Sequence, residues 1–480
     1  MMQNGDDEIP SVDMVKRGSY KWWALAVICI GTFTSTMDAS IINIALPTLT
    51  KVFAVGETVS VWVYLAYMLI VAGLTLTFGK AGDMIGHKRM YVMGLLIAAA
   101  GLALNSIAGS MPILISFRVV QAVGNGMMVA LGPAIITNVF PYDERGKALG
   151  IYVASVGVGL SIGPLFGGIL IDTLGWQSIF YLRLPIVLGV AVLAFKKLKE
   201  QKSVALHHNF DKWGAAVFFL GMFSLLLGLN QSGERGWTSA FVLVCISTAA
   251  VLISLFISIE RKAAQPLLDL KLFHSLSFSA ANLSLILSFI ARIAAVLLIP
   301  FLLQNGLGYS AFKTGLIQIT SHIAMIIVSP VAGRFSDKIG SRILTSAGFL
   351  LIGLSLLLLS SINANSSILY LVLTLAIMGI GSGLFESPNN SLIMASVPAI
   401  KRGTSSAMLA TSRGLGMTIG LAISSSIYAA RKAQYLTQGT TAATAAIGGF
   451  QDALIIVAYI CIAGVIINLL AGNTKSKKIY

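Results

Sequence analysis

A chain of 480 residues that is 56% hydrophobic and only 11% charged cannot clothe itself in polar surface, since soluble domains carry roughly 25% charged residues. Its solvent is lipid, which excludes a water-soluble enzyme or binding module. The net charge of +15 would suit a nucleic-acid partner, but the placement of the charges, described below, removes that reading.

In chain order, the first 20 residues are polar and include Asp6, Asp7, Glu8 and Asp13. They hold no short apolar core or cleavage site, so no cleaved signal peptide is expected and the first span directs insertion. A membrane-crossing helix needs about 20 apolar residues. About fourteen such spans are predicted, near 22–46, 59–79, 90–107, 112–139, 148–171, 178–197, 213–229, 239–258, 277–303, 312–335, 343–361, 367–395, 403–427 and 450–471. The longest polar connections are 197–212, 259–276 and 428–449. The first two read as linkers. The third, rich in Thr, Ala and Gly from Gln434 to Gly449, reads as a mobile loop. Cys29, Cys245 and Cys461 sit singly inside apolar runs and read as packing residues.

Lys and Arg set the orientation. With the N-terminus in the cytoplasm, the tails and even-numbered loops hold about 24 of the 33 basic residues, among them Arg145, Lys147, Lys196–Lys202, Arg261, Lys262, Lys401, Arg402 and Lys475–Lys478. The outer loops hold about five: Lys51, Arg235, Lys313, Arg431 and Lys432. That asymmetry explains the basic charge without nucleic acid and places both termini in the cytoplasm. Trp22, Trp23, Trp62, Trp176, Trp213 and Trp237 fall near predicted helix ends, as an interfacial belt would.

The chain repeats itself. Gly79-Lys-Ala-Gly-Asp83-Met-Ile-Gly86-His87-Lys88-Arg89 returns as Gly333-Arg334-Phe-Ser-Asp337-Lys338-Ile-Gly340-Ser-Arg342, with Gly, Asp and Gly each 254 residues apart. Arg145-Gly146 and Arg402-Gly403, Pro133 and Pro388, and Pro47 and Pro300 repeat at offsets of 253 to 257. Duplicated helix bundles with the same tight turn are the plan of a secondary transporter. The division that follows is a tail 1–21, a six-helix bundle 22–197, a linker with two inserted helices 198–276, a second six-helix bundle 277–472 and a tail 473–480.

The repeated pattern Gly-x-x-x-Asp-x-x-Gly-(Arg/His)-(Lys/Arg) resembles the signature loop of the major facilitator superfamily. The six-plus-two-plus-six layout is similar to its fourteen-helix branch, the drug:proton antiporters. The resemblance implies an all-α integral membrane protein with the major facilitator fold. It also implies that Gly79, Asp83, Gly86, Lys88 and Arg89, with Gly333, Asp337, Gly340 and Arg342, latch the cytoplasmic gate. Topology alone would also keep such basic loops inside.

Charges within spans are costly, at least about 2.5–3.5 kcal/mol each, and mark function by default. They are Asp38, Arg118, Arg183, Arg292, Glu386 and Arg413, with His322 beside them. Arg183 and Arg413 could instead lie near helix ends and snorkel. Asp38-Ala-Ser-Ile-Ile-Asn43-Ile-Ala-Leu-Pro47 resembles the helix 1 motif of the fourteen-helix branch, whose aspartate is implicated in cation recognition or proton coupling. A single site that takes proton or substrate, but not both, is the minimum device for antiport. Arg118-Val-Val-Gln121-Ala122-Val-Gly124 resembles the helix 4 motif, with Ala122 in place of glycine; its arginine would tune a nearby carboxylate. Gly157, Gly163, Pro164, Gly167 and Gly168 resemble the antiporter motif Gly-x(5)-Gly-Pro-x-x-Gly-Gly, which points to export; ordinary small-residue packing is the plainer reading. Glu386, in Gly383-Leu-Phe-Glu386-Ser-Pro388-Asn-Asn, is either a second protonation site or a salt-bridge partner of Arg292 or Arg413. Arg292 falls within one residue of the repeat equivalent of Asp38, and a cavity lined by arginines would favour carboxylate or phosphate groups.

Other signals are weak. The run Gly379-x-Gly381-x-Gly383 follows no strand, and no Walker pattern is present. His207-His208 has no further ligands nearby in sequence, and no metal site is expected. The reading is a proton-coupled exporter of small amphipathic, lipophilic cationic compounds, not an enzyme. Its energy source would be the proton gradient, with no other cofactor. It would act as a monomer in the cell membrane, with no adaptor protein indicated. Asp38, Arg118, Glu386, Arg292, Arg413 and Asn43 would handle substrate and proton. Its rivals are an exporter of an anionic or zwitterionic metabolite, lipid or siderophore-like compound, and a non-transporting receptor.

Overall fold

Fourteen long helices follow one another in the computed structural model, which describes residues 12–141, 144–200, 212–262, 270–363, 366–396 and 402–470; no strand occurs among them. The first half comprises α1 (Val12–Val52), α2 (Trp62–Ile85), α3 (His87–Ser106), α4 (Met111–Val139), α5 (Arg145–Leu174) and α6 (Leu184–Lys197). Then come α7 (Lys212–Arg235) and α8 (Ala240–Lys262). The second half comprises α9 (Leu276–Phe301), α10 (Ala311–Ile339), α11 (Ser341–Ser360), α12 (Ile368–Ala395), α13 (Arg402–Thr437) and α14 (Ala442–Leu470). Thirteen of these are long and apolar enough to cross a membrane, α6 being counted together with the short helix Ser178–Tyr181 before it. The fourteenth, α13, is 36 residues long but carries Arg413, Arg431, Lys432 and many hydroxyl residues, and is too polar to pass the same test. The basic tail ends, Lys202, His207-His208 and Lys401, and the side chains of Asp83, Asp337, Arg145, Lys147 and Arg402, lie outside the described residues.

The helices start and stop for local reasons. Ser275, Ser310 and Ser367 cap α9, α10 and α12 by accepting the backbone N–H of Phe278, Lys313 and Tyr370 at 3.4, 3.2 and 3.2 Å. Each repeated charged turn is a single glycine: α2 passes into α3 through Gly86 at φ 111°, and α10 into α11 through Gly340 at φ 88°. A side-chain-bearing residue is strained there. Pro47, Pro133, Pro300 and Pro388, the repeat-related prolines, all lie inside helices, which membrane helices tolerate when neighbours satisfy the freed carbonyl.

Two expectations need correction. Residues 428–449 are not a long loop: α13 runs to Thr437 and α14 starts at Ala442. Alanine is the best helix former, and Tyr435 and Lys432 of α13 pack against Gly448 and Gly449 of α14. Trp176 is buried against Phe53 and Phe180 rather than facing the interface. Cys245 and Cys461 are buried and Cys29 partly so; all three are free.

Within each half the helices pack as a bundle, chiefly α1 on α5 and α3 on α4 in the first and α10 and α11 on α12 in the second. The halves meet along two seams, α5 with α10 and α2 with α13. The α5–α10 seam depends on missing side chains: a Cβ on Gly168 would stand 2.5 Å from the Ala311 carbonyl oxygen, and one on Gly315 2.1 Å from that of Pro164.

Candidate functional site

The six charged residues singled out within spans meet as two triads, one in each half, each a carboxylate between two guanidiniums. In the first half, Asp38 of α1 accepts from Arg118 Nη1 of α4 through both oxygens, at 3.0 and 2.8 Å, and is ion-paired to Arg183, the residue that leads into α6. Some of the other donors reach backbone and amide oxygens, while Nη2 of Arg118 is buried without an acceptor. Arg118 donates to the Val63 carbonyl at 3.3 Å and to Gln121 Oε1 at 2.7 Å, while Arg183 donates to the Ile179 carbonyl at 2.5 Å. Tyr67 lies against the Arg118 guanidinium at 4.3 Å and Phe180 flanks both arginines at about 6 Å. Asp38 is 1% exposed and Arg118 not at all. This triad stands behind the cavity wall.

In the second half, Glu386 of α12 is held by Arg292 of α9 at 2.9 Å and by Arg413 of α13 at 3.0 Å. Both guanidiniums lie against the ring of Phe289, at 4.5 and 5.4 Å. This triad is open: the side chains of Arg292, Glu386 and Arg413 are 15, 17 and 28% exposed.

Between the halves is a cavity of about 80 Å³, which would have to widen to take a drug-sized ligand, whose sites run to about 300–1,000 Å³. Ser40, Asn43 and Tyr64 contribute from the first half, with Leu160 and Pro164 of α5. Phe289, Arg292, Gln318, His322 and Ser382 contribute from the second, with Met325, Met378 and Met417. Arg292 supplies the wall's formal charge. Of the residues predicted to handle substrate, Asn43 and Arg292 line the cavity; Glu386 and Arg413 stand beside Arg292; Asp38 and Arg118 do not reach it. Phe289, Gln318 and the three methionines were not expected, because an aromatic, amide or thioether inside an apolar helix carries no sequence signal of its own.

Gly163 of the α5 motif faces α1, where a Cβ would meet the Ser40 hydroxyl at 1.8 Å. The motif therefore lets α5 lie close to both α1 and α10. Beside Gly86, Arg89 pairs with Glu200 at 3.6 Å and Lys88 lies 5.4 Å from the Phe195 ring, contacts within the first half. The halves are tied to each other at the opposite end. Asp172 of α5 accepts the backbone N–H of Ala311 and Phe312 at 3.2 and 2.8 Å, capping α10. Gln304 donates to the Ile44 carbonyl at 3.0 Å, and Lys432 of α13 pairs with Glu57. These contacts hold the halves together at the end where α1 stops.

The family model of the Major Facilitator Superfamily matches residues 28–212, 212–421 and 281–477. The chain is 35% identical over 459 residues, 96% of its length and 99% of the other, to the riboflavin transporter RibZ of Clostridioides difficile (strain 630). It is 33% identical over 402 residues to the multidrug resistance protein Stp of Mycobacterium tuberculosis (strain CDC 1551 / Oshkosh), covering 84% of this chain and 74% of that one. Against the multidrug transporter protein MdtP of Bacillus subtilis (strain 168), identity is 30% over 411 residues, 85% of this chain and 76% of that one. Among solved structures, the POT family transporter PepTSo matches 93% of this chain and 97% of its own, with a TM-score of 0.68 at 16% identity, a likeness of fold. With its helices, its duplicated glycine turns and the family match all spanning the same residues, the chain belongs to the Major Facilitator Superfamily and is a multi-pass secondary transporter, not an enzyme.

Proposed function

We propose that this transporter resides in the cell membrane with both termini in the cytoplasm. It would move a planar amphipathic organic compound, neutral or anionic and of flavin type, by proton-linked alternating access. The carrying observation is the charge of the cavity wall: Arg292 lines it, while Asp38, the residue that would attract a cation, is buried with its oxygens held by Arg118 and Arg183. A lipophilic cation entering this cavity would meet a guanidinium first, and like charges in a low-dielectric site repel. Phe289 and the methionines offer polarizable apolar surface for a ring system. Asn43, Tyr64, Gln318 and Ser382 offer hydrogen-bonding groups for its polar edge. The 35% identity to a protein named a riboflavin transporter supports the same class.

A second reading is export of cationic drugs in exchange for protons. Its support is the α5 glycine-proline motif together with the likeness to proteins named for multidrug resistance. Reconstituted vesicles with an imposed pH gradient separate the two. Riboflavin and a quaternary ammonium dye are each offered while a pH-sensitive dye follows proton movement. Flavin accumulation that needs the gradient and falls in Arg292→Gln is the expected result. Proton movement driven by the ammonium dye alone would overturn it in favour of the second reading.

A further inference from the structure

The two triads have the same composition and opposite access. Around Asp38 no route leads in, and the guanidiniums cannot part without opening the helix core. Around Glu386 the guanidiniums already touch the cavity: Arg292 and Phe289 are part of its lining, and Arg413 is the most exposed of the three. They are also under-used. Two guanidiniums offer about ten N–H donors, and Glu386 takes one each from Arg292 Nη1 and Arg413 Nη2. Arg413 Nε is buried with no acceptor. The local charge is two positive against one negative. The other titratable groups facing the cluster are His322 of α10, on the same cavity wall, and Tyr152 of α5, which faces Arg413.

We infer that Arg292 and Arg413 form an anion subsite in which a carboxylate or phosphate of the transported compound takes the place of the Glu386 carboxylate. This rests on the transport reading above and deepens it. A planar oxyanion fits two guanidiniums through paired hydrogen bonds, with Phe289 beneath to carry an attached ring. A ligand anion taking the hydrogen-bonding place of the Glu386 carboxylate would lie against it, and like charges that close repel, so the ligand binds best when that carboxylate has lost its charge. A proton supplies that. Proton and anion then bind together, and a substrate anion crosses with a proton in the same direction. A carboxylate that trades a proton for a cation gives the opposite sign of coupling.

The test uses the full chain in detergent and follows ligand binding by thermal stabilisation. The probes are 2-naphthoate and its uncharged amide, with flavin mononucleotide and riboflavin as a second pair. In wild type the anionic member of each pair should bind roughly tenfold more tightly at mildly acid than at mildly alkaline pH, a usual size for coupling between two ligands. Glu386→Gln should bind the anions tightly at both pH values. Arg413→Gln added to that variant should abolish the gain, and the uncharged probes should follow none of these changes. Anion binding that ignores pH in wild type, or that Glu386→Gln does not strengthen, overturns the subsite, as does failure of both anions to bind any variant. If Glu386→Gln does not fold, Glu386→Asp and the wild-type pH series decide, because the shorter acid grips the pair less well and should shift anion binding toward alkaline pH. Loss of flavin transport with this binding pattern intact would remove the proposed function and leave the subsite standing.

Discussion

A guanidinium with no exposure at all, as at Arg118, persists inside a membrane protein only when its charge is met. Asp38 meets two such charges at once. Asp38→Asn should therefore destabilise the fold by about 3–5 kcal/mol, the usual cost of breaking a buried pair from one side, read as lower thermal stability of the purified protein. Arg118→Gln made together with Asp38→Asn should recover part of that loss, because fewer charges are left unpaired; a double variant as unstable as the sum would contradict it. Asp38 and Arg118 announce themselves in sequence as charges inside apolar runs. Their partnership with Arg183 does not. Arg183 stands at the start of α6, and a residue near a helix end can turn outward to the headgroups or back into the bundle. Sequence spacing does not choose between them; the packing of the short helix Ser178–Tyr181 against α3 and α5 does.

At the level of elements, the α5–α10 seam shows how much a glycine can decide. A side chain at Gly315 would press on the Pro164 carbonyl, and backbone there cannot give way cheaply. Gly315→Val should cost about 1–3 kcal/mol through overpacking and part the seam. The observable is a cysteine introduced at Thr48, which should react with an impermeant thiol reagent faster in the Gly315→Val background; unchanged reactivity would count against the seam's role. The repeat itself was plain in the sequence because glycine and proline leave few alternatives: Gly86 and Gly340 end one helix and begin the next at positive φ. The stretch 428–449 was misleading for the converse reason. Its alanines favour helix while its threonines and glycines do not, and contacts between α13 and α14 settle the outcome.

For the whole molecule, the contacts that join the halves lie at the end where α1 stops: the Asp172 cap on α10, the Gln304–Ile44 hydrogen bond and the Lys432–Glu57 pair. Removing them should favour the conformer open on that side. Asp172→Asn combined with Lys432→Gln should shift the population by roughly fivefold to a hundredfold. Spin labels at Lys51 and Phe312, on opposite halves, should report a longer distance in the double variant than in wild type. An unchanged distance distribution would mean that other contacts hold the closure.

The inserted helix α7 lies against both halves, but not in the same way. To α13 it is hydrogen-bonded, Asn230 to Ser425 at 3.3 Å and Ser232 to Ser426 at 2.7 Å, contacts that fix register. To α2 it presents rings, Phe223 beside Trp62 at 6.4 Å and Phe219 over Gly73, contacts that tolerate sliding. Cysteine pairs test the difference: one linking positions 230 and 425 should leave transport intact, while one linking 73 and 219 should arrest it. When the halves rock, α7 would ride with the second and glide across the first, a weld on one side and a bearing on the other, so that the extra helices steer the motion instead of merely widening the protein.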